Sequence, residues 1–140
     1  MADYDFKAIE ARWAKTWDDA GDGSTDWESD REPCYVLSMF SYPSGDKLHL
    51  GHWYNYVPAD TYARFERMRG KNVFQPVGFD SFGLPAENYA IKCGVHPGVH
   101  TDANIKVIRE QLRTLTPMYD WGSELSTHTP TYYKWTQWLF

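Results

Sequence analysis

The sequence predicts an α/β fold with parallel strands and flanking helices. Cys34–Phe40 is a short, nearly unbroken apolar run between Pro33 and Pro43, the pattern of a strand buried on both faces. A helical stretch follows, then a second run, Asn72–Val77, so strand, loop, helix and strand succeed one another within one βαβ unit. Parallel strands need such a crossover, which is right-handed almost always. Finally, 140 residues with 42% hydrophobic and 24% charged side chains suit one folded domain, or a piece of a larger one, and exclude wholesale disorder.

The elements follow in order. Phe6, Ile9, Trp13 and Trp17 recur at helical spacing, so Asp5–Ala20 reads as a helix stopped by Gly21-Asp22-Gly23-Ser24. Trp27–Pro33 is polar and irregular. After the first strand, Tyr42–Lys47 is a loop by its Pro, Ser and Gly content. A helix from near Gly51 to Arg69 ends at Gly70, with a kink or break expected at Pro58. Beyond Asn72–Val77 and a loop, a short helix opens at Pro85. Gly94–Pro97 is a loop, and Asp102–Leu115 is a helix with Ile105, Ile108, Leu112 and Leu115 on one face, capped by Thr101 or Asp102. Tyr119–Thr129 is loop-like, with a short strand at Leu125–Thr127. Thr129 and Pro130 are a cap and first helical residue for Pro130–Phe140. That helix stops in mid-pattern at Trp138-Leu139-Phe140, which predicts that the chain is the front part of something longer. Two units are expected: an N-terminal helix and acidic connecting arm over residues 1–33, and the body over 34–140.

The charge is uneven. Residues 1–33 hold 10 acidic and 4 basic side chains, a net of −6, and residues 34–140 hold 9 and 10, a net of +1. No basic face marks a nucleic-acid binder, so phosphates would have to be held locally. Cys34 and Cys93 form no CxxC pair and read as free thiols in a reducing cytoplasm. No apolar run approaches the roughly 18 residues of a membrane span, and Met1–Asp5 has no secretory pattern.

The strongest chemical signal is His49-Leu50-Gly51-His52, directly after a strand and loop and at the start of a helix. A helix N-terminus offers unpaired N–H groups and about half a positive charge. Two imidazoles there add donors to phosphate oxygens, and can stabilise charge developing on an α-phosphate. Gly51 leaves space for a flat base. Other readings stand beside this one: two helix-capping histidines, or half of a metal site for which no further ligand is spaced suitably. Asp80 follows the second strand between Gly78 and Gly83, either as a loop cap or as a carboxylate presented to a ligand's ammonium. Arg64, Arg67, Arg69 and Lys71 sit at a helix C-terminus, where cations offset the dipole, and a nucleic-acid contact is a second choice. His96, His100 and His128 read as loop or cap residues, and the Trp13/Trp17 and Trp135/Trp138 pairs as core.

Ser38–His52, reading SMFSYPSGDKLHLGH, resembles the HIGH signature region of class I aminoacyl-tRNA synthetases, and most closely that of their leucine-specific members. Gly78–Asn88, reading GFDSFGLPAEN, resembles a second block of that family, in which the isoleucine and valine relatives usually place His where Phe82 stands. Tyr119-Asp120-Trp121 with Thr129–Gln137 is a weaker third block. Ser41, the loop length at Asp46-Lys47, and Pro58 depart from the family pattern.

The resemblance implies a HUP-type, Rossmann-like parallel sheet with flanking helices, here a partial catalytic domain. It implies catalytic roles for His49 and His52, ATP contacts from Pro43, Ser44, Gly45, His49, Gly51 and His52, and leucine contacts from Phe40, Tyr42 and Asp80. ATP is then a substrate, accompanied by Mg2+, and the partners are leucine, tRNA(Leu) and the remainder of the synthetase chain, in a cytoplasmic protein that is monomeric when complete. No zinc ligands and no membrane contact are expected. The KMSKS-like lysine loop, editing domain, zinc module and anticodon-binding domain of the family have no counterpart in these residues. Two rivals remain: an HxGH nucleotidylyltransferase and a non-catalytic nucleotide-binding fragment.

Overall fold

The computed structural model describes residues 4–43, 45, 47–115 and 117–140. Helix α1 (Phe6–Ala20) leads to β1 (Pro33–Tyr35), α2 (Leu50–Met68), β2 (Asn72–Phe74) and β3 (Pro76–Phe79). Then come α3 (Leu84–Cys93), α4 (Pro97–Thr114), β4 (Asp120–Ser126) and α5 (Pro130–Leu139). Strands β1 and β2 pair in parallel, as do β3 and β4, so β1-α2-β2 is the expected crossover unit.

Pro76 divides the second strand. Val36 donates its N–H to the Phe74 carbonyl at 2.9 Å. The next rung of a parallel ladder would come from the nitrogen of residue 76, and proline has no hydrogen to give. Pairing on the β1 side lapses there and resumes only where Ser41 bridges Phe79. On the other side Asp120 donates to the Gln75 carbonyl at 2.9 Å, and β4 continues along β3 with a register shift between Pro76 and Gly78. The single strand Asn72–Val77 expected from the sequence is therefore β2 and β3. The expected strand Cys34–Phe40 is regular only over its first residues.

Val73, Val77 and Phe79 lie at alternate positions and face the helices. Val77 and Phe79 pack with Tyr56 of α2, Ile105, Ile108 and Leu112 of α4, and Tyr119. Val73 packs with Val36 and Ala63 of α2. The first strand is not buried on both faces. Cys34 and Val36 point inward, but Leu37 and Met39 are 69% and 72% exposed, because among the described residues the helices cover one side. Trp27, Tyr35 and Phe74 form a small aromatic stack on the other side.

Several local expectations change. Helix α2 runs through Pro58 without a break. An interior proline costs about 3 kcal/mol, and the buried Tyr56 and Ala63 on either side of it hold the helix together by packing. Its end follows the sequence: Gly70 adopts φ +89, with Gly70 and Lys71 donating to the Arg67 and Glu66 carbonyls. Helix α4 begins more than a turn earlier than Asp102. His96 caps it by accepting from the Gly98 N–H at 3.2 Å, Pro97 supplies the first turn, and Thr101 is buried inside the helix. Residues 120–126 are a strand rather than mostly loop, since the exposed edge of β3 recruits them despite their polar sequence. The Thr129 side chain caps nothing in α5 but turns back to the Ser126 carbonyl.

The tryptophan pairs are not core. Trp13 is 43% exposed and Trp138 is 78% exposed. Trp17 instead lies under the Arg64 guanidinium, at 4.8 Å from its ring centre, which fastens α1 to α2. The basic residues near the end of α2 are engaged with the protein. Arg67 donates to the carbonyls of Gly23, Val73 and Met118, and Arg69 and Lys71 both pair with Glu66.

At Gly78 a Cβ would come within 2.9 Å of the Leu125 carbonyl oxygen and 3.1 Å of its side chain. Gly78→Ala is expected to lower unfolding free energy by about 1–3 kcal/mol through overpacking. A thermal melt checks this, and an unchanged midpoint would mean that β3 and β4 do not approach so closely.

Candidate active site

Helix α2 starts with a reciprocal capping box made by two histidines. His49, at the N-cap, accepts the Gly51 N–H on its Nδ1 at 3.1 Å. His52, one turn in, accepts the His49 N–H on its own Nδ1 at 3.0 Å. The two rings lie 3.9 Å apart. An imidazole nitrogen that accepts a hydrogen bond carries no proton, so each uncharged ring bears its proton on Nε2. The caps thus satisfy backbone donors and leave two Nε2–H donors at the positive end of a helix. His52 is held below the ordinary imidazole pKa, first by partial burial and then by the neighbouring His49.

Gly51 has a steric role here. A Cβ on it would fall 2.8 Å from Cε1 and 3.0 Å from Nδ1 of His49. A side chain at position 51 would therefore displace the His49 ring that caps the helix.

The loop before the histidines is held from α4. Asn104 donates to the Pro43 carbonyl at 2.8 Å, and Gln111 accepts the Leu48 N–H at 2.8 Å. These residues are two helical turns apart and so share a face. Pro43 is fully buried, while Gly45 is exposed; Ser44 lies outside the described residues. Sequence reasoning missed both amides. Their signal was the placing of Asn104 and Gln111 beside Ile105, Ile108 and Leu112, where a purely hydrophobic face would be expected.

The residues expected at an amino-acid site come together at the carboxyl ends of the strands. The Asp80 N–H donates to the Ser41 carbonyl at 2.8 Å, which sets Tyr42 beside Asp80. The Tyr42 hydroxyl bonds the Asp80 carboxylate, and this holds the phenol above its ordinary pKa. Phe40 and Asp80 line a cavity of about 670 Å³ with Phe82, Thr127, Tyr132 and Tyr133. Thr127 donates from Oγ1 to Asp80 at 3.4 Å. The role of Thr127 and of the two tyrosines was not read from the sequence, because α5 reaches this cavity only through the pairing of β4 with β3.

Comparison with known proteins places this geometry. The family model described as tRNA synthetases class I (M) matches residues 34–140. The leucine–tRNA ligase of Clostridium perfringens strain 13 is 55% identical over 133 residues, 95% of this chain and 16% of that protein. That of Clostridium botulinum strain Hall is 53% identical over all 140 residues, 17% of its length. The chain therefore spans about one-sixth of the length of these curated relatives. Among solved structures, the Agrobacterium radiobacter K84 agnB2 LeuRS in ternary complex with tRNA and LeuAMS superposes with a TM-score of 0.91 at 42% identity, covering 98% of this chain and 18% of that one. Mycobacterium tuberculosis methionyl-tRNA synthetase in complex with methionyl-adenylate gives 0.67 at 27% identity, over 74% of this chain and 20% of that one. The likeness bears out both the expected Rossmann-like α/β class and the resemblance drawn from the three sequence blocks.

Gln111→Leu, which keeps the side chain's bulk and removes its acceptor, is expected to speed amide hydrogen exchange at Leu48 by roughly tenfold or more through local opening. Protection along α4 should persist. Unaltered exchange at Leu48 would place the loop's anchor elsewhere.

Proposed function

We propose, for a chain that belongs to the class I tRNA synthetases, that it forms part of a leucine–tRNA ligase. The observation that carries this is the joining of two half-sites by one short loop. Asp80 and Tyr42 stand at one end and the doubly capped histidines at the other. In the reaction, the carboxylate of leucine attacks the α-phosphate of ATP, pyrophosphate leaves, and leucyl-adenylate forms. A hydroxyl of the tRNA's 3′-terminal adenosine then takes the leucyl group.

No residue of this segment need become covalently bonded. Asp80 takes the ammonium group of leucine, and a charge-assisted bond of this kind is shorter and stronger than a neutral one. Phe40 and the aromatic wall around the cavity take the isobutyl side chain. The two Nε2–H groups donate to phosphate oxygens, and they gain most where negative charge builds up in the transition state. Gly51, assigned to adenine by the resemblance, carries no side chain to displace the His49 ring from its cap. Pro43 and Gly45 shape the phosphate side of the loop, and Ser44 is assigned there by the resemblance alone. Mg2+ enters as the ATP complex. Among the described residues no group of three or more His, Cys, Asp or Glu is placed to hold a metal ion, and no helix is long and apolar enough to cross a membrane. The same reading places the work in the cytoplasm with tRNA(Leu) as partner, in a protein monomeric when complete, with residues 1–33 as an arm fastened to the catalytic body.

Two variants test the reading in the protein at the length of its relatives, by leucine-dependent exchange between ATP and pyrophosphate. His52→Ala should slow exchange by roughly tenfold to a thousandfold, the loss of one transition-state donor. Unchanged exchange removes His52 from the mechanism. Asp80→Asn keeps an acceptor and removes the charge, which is worth about 1.5–3 kcal/mol toward an ammonium. The leucine KM should rise roughly tenfold or more, with ATP KM and melting temperature nearly constant. A leucine KM that stays put, or that follows a loss of stability, rules out the ligand role.

A further inference from the structure

Behind Asp80 lies a chain of side chains that the proposed reaction does not use. Asp102 of α4 meets Nε2 of His128 at 3.0 Å, and Nδ1 of His128 meets Oγ of Ser81 at 2.6 Å. The Ser81 N–H donates to Thr127 Oγ1 at 2.8 Å, and Thr127 Oγ1 donates to Asp80. Ser81 and Thr127 are buried at the ends of the adjoining parallel strands, whereas Asp102 stands on the surface of a third element.

The proton positions follow from the partners. The Asp102 carboxylate only accepts, so His128 carries a proton on Nε2. In the uncharged ring Nδ1 then accepts, and the Ser81 hydroxyl proton is shared between it and the Phe79 carbonyl. Thr127 Oγ1 already accepts from the Ser81 N–H, so its own proton is available for Asp80. The bonds run outward from Ser81, its hydroxyl toward His128 and Asp102 and its backbone N–H toward Thr127 and Asp80, so Ser81 joins two short runs within each of which hydrogen bonds polarise one another. A serine, histidine and aspartate in this order resemble a hydrolytic triad. The Ser81 Oγ, however, is buried, donates toward the Phe79 carbonyl at 3.2 Å and receives the His128 backbone N–H at 3.3 Å, so it is engaged within the protein rather than presented to an electrophile.

We propose that Asp102, His128, Ser81 and Thr127 form a positioning relay that fixes the Asp80 carboxylate for the substrate's ammonium group, with His128 as its central positioning residue. This rests on the reading of Asp80 as the ammonium ligand. His128 reaches the site through the hydrogen bonds of its two ring nitrogens, and it touches neither leucine nor ATP. Its loss frees the Ser81 hydroxyl to turn, weakens the hold of Ser81 and Thr127 on the end of β3, and lets the Asp80 carboxylate rotate.

The test uses the protein at the length of its relatives and amino-acid-dependent exchange between ATP and pyrophosphate, first with leucine and then with a panel of other amino acids. His128→Ala is expected to raise the amino-acid KM roughly five- to tenfold, the worth of about one hydrogen bond. ATP KM, kcat and melting temperature should change little. His128→Asn places an amide oxygen close to where Nδ1 stood, so it should restore the KM to within about threefold of the wild type. A KM unchanged in His128→Ala overturns the relay. So does a parallel rise in both KM values with a fall in melting temperature, or a failure of Asn to rescue. Exchange driven by an amino acid other than leucine would contradict the substrate reading alone, and the relay would then be judged on the KM of that amino acid.

Discussion

The start of an α-helix leaves backbone N–H groups without partners inside the helix. In α2 this need is met by two imidazoles rather than by Ser, Thr or Asp, and the rest of the site depends on that choice. A hydroxyl or carboxylate cap satisfies the backbone and ends there. An imidazole cap uses one nitrogen as acceptor and so determines where the other nitrogen's proton is. His49 and His52 do this reciprocally, each through Nδ1. Helix capping and the setting of two Nε2–H donors, which the proposed reaction offers to phosphate, are therefore one event, and Gly51 is needed because the His49 ring occupies the place of its side chain.

The proposed reaction needs an amino-acid site beside the cap. The sheet brings the residues proposed for it into place through one late rung of its ladder. Pro76 interrupts pairing between the first strand and its neighbour, and pairing resumes at the Asp80 N–H and the Ser41 carbonyl. That bond holds the start of the loop against the residue that carries the carboxylate. From there the chain runs to the histidines under the control of α4, through Asn104 at one end and Gln111 at the other. Helix α4 thus has two functions: its isoleucines and Leu112 fill the core, and its amides hold the loop.

Much of this was legible in the sequence. The crossover unit, the stop at Gly70 and the HxGH block at a helix start all follow from local chemistry, and local chemistry is what a sequence displays. The positions of His49, Gly51, His52 and Asp80 on the strand ends and helix start could be read in the same way. What was not legible depended on partners distant in the chain. Strand β4 exists because β3 has an open edge, which its polar residues do not announce. The first strand's outer face reads as buried because Leu37 and Met39 are apolar, yet no described element covers it. Thr127 joins the site only once β4 is paired. His128 read as a bland loop residue, since its meaning comes from Ser81 and Asp102, each more than twenty residues away. Pro58 misled in the opposite sense, because local propensity lost to the packing of Tyr56 and Ala63.

The central claim is that the capping hydrogen bonds set the proton on Nε2 of both signature histidines. The most direct measurement is long-range 1H–15N correlation NMR on the protein labelled with 15N-histidine, with His49 and His52 assigned by substitution. The account predicts an unprotonated, hydrogen-bonded Nδ1 and a protonated Nε2 in both rings at neutral pH. A proton on Nδ1 of either ring would contradict it, because that nitrogen could not then accept the backbone N–H that caps α2.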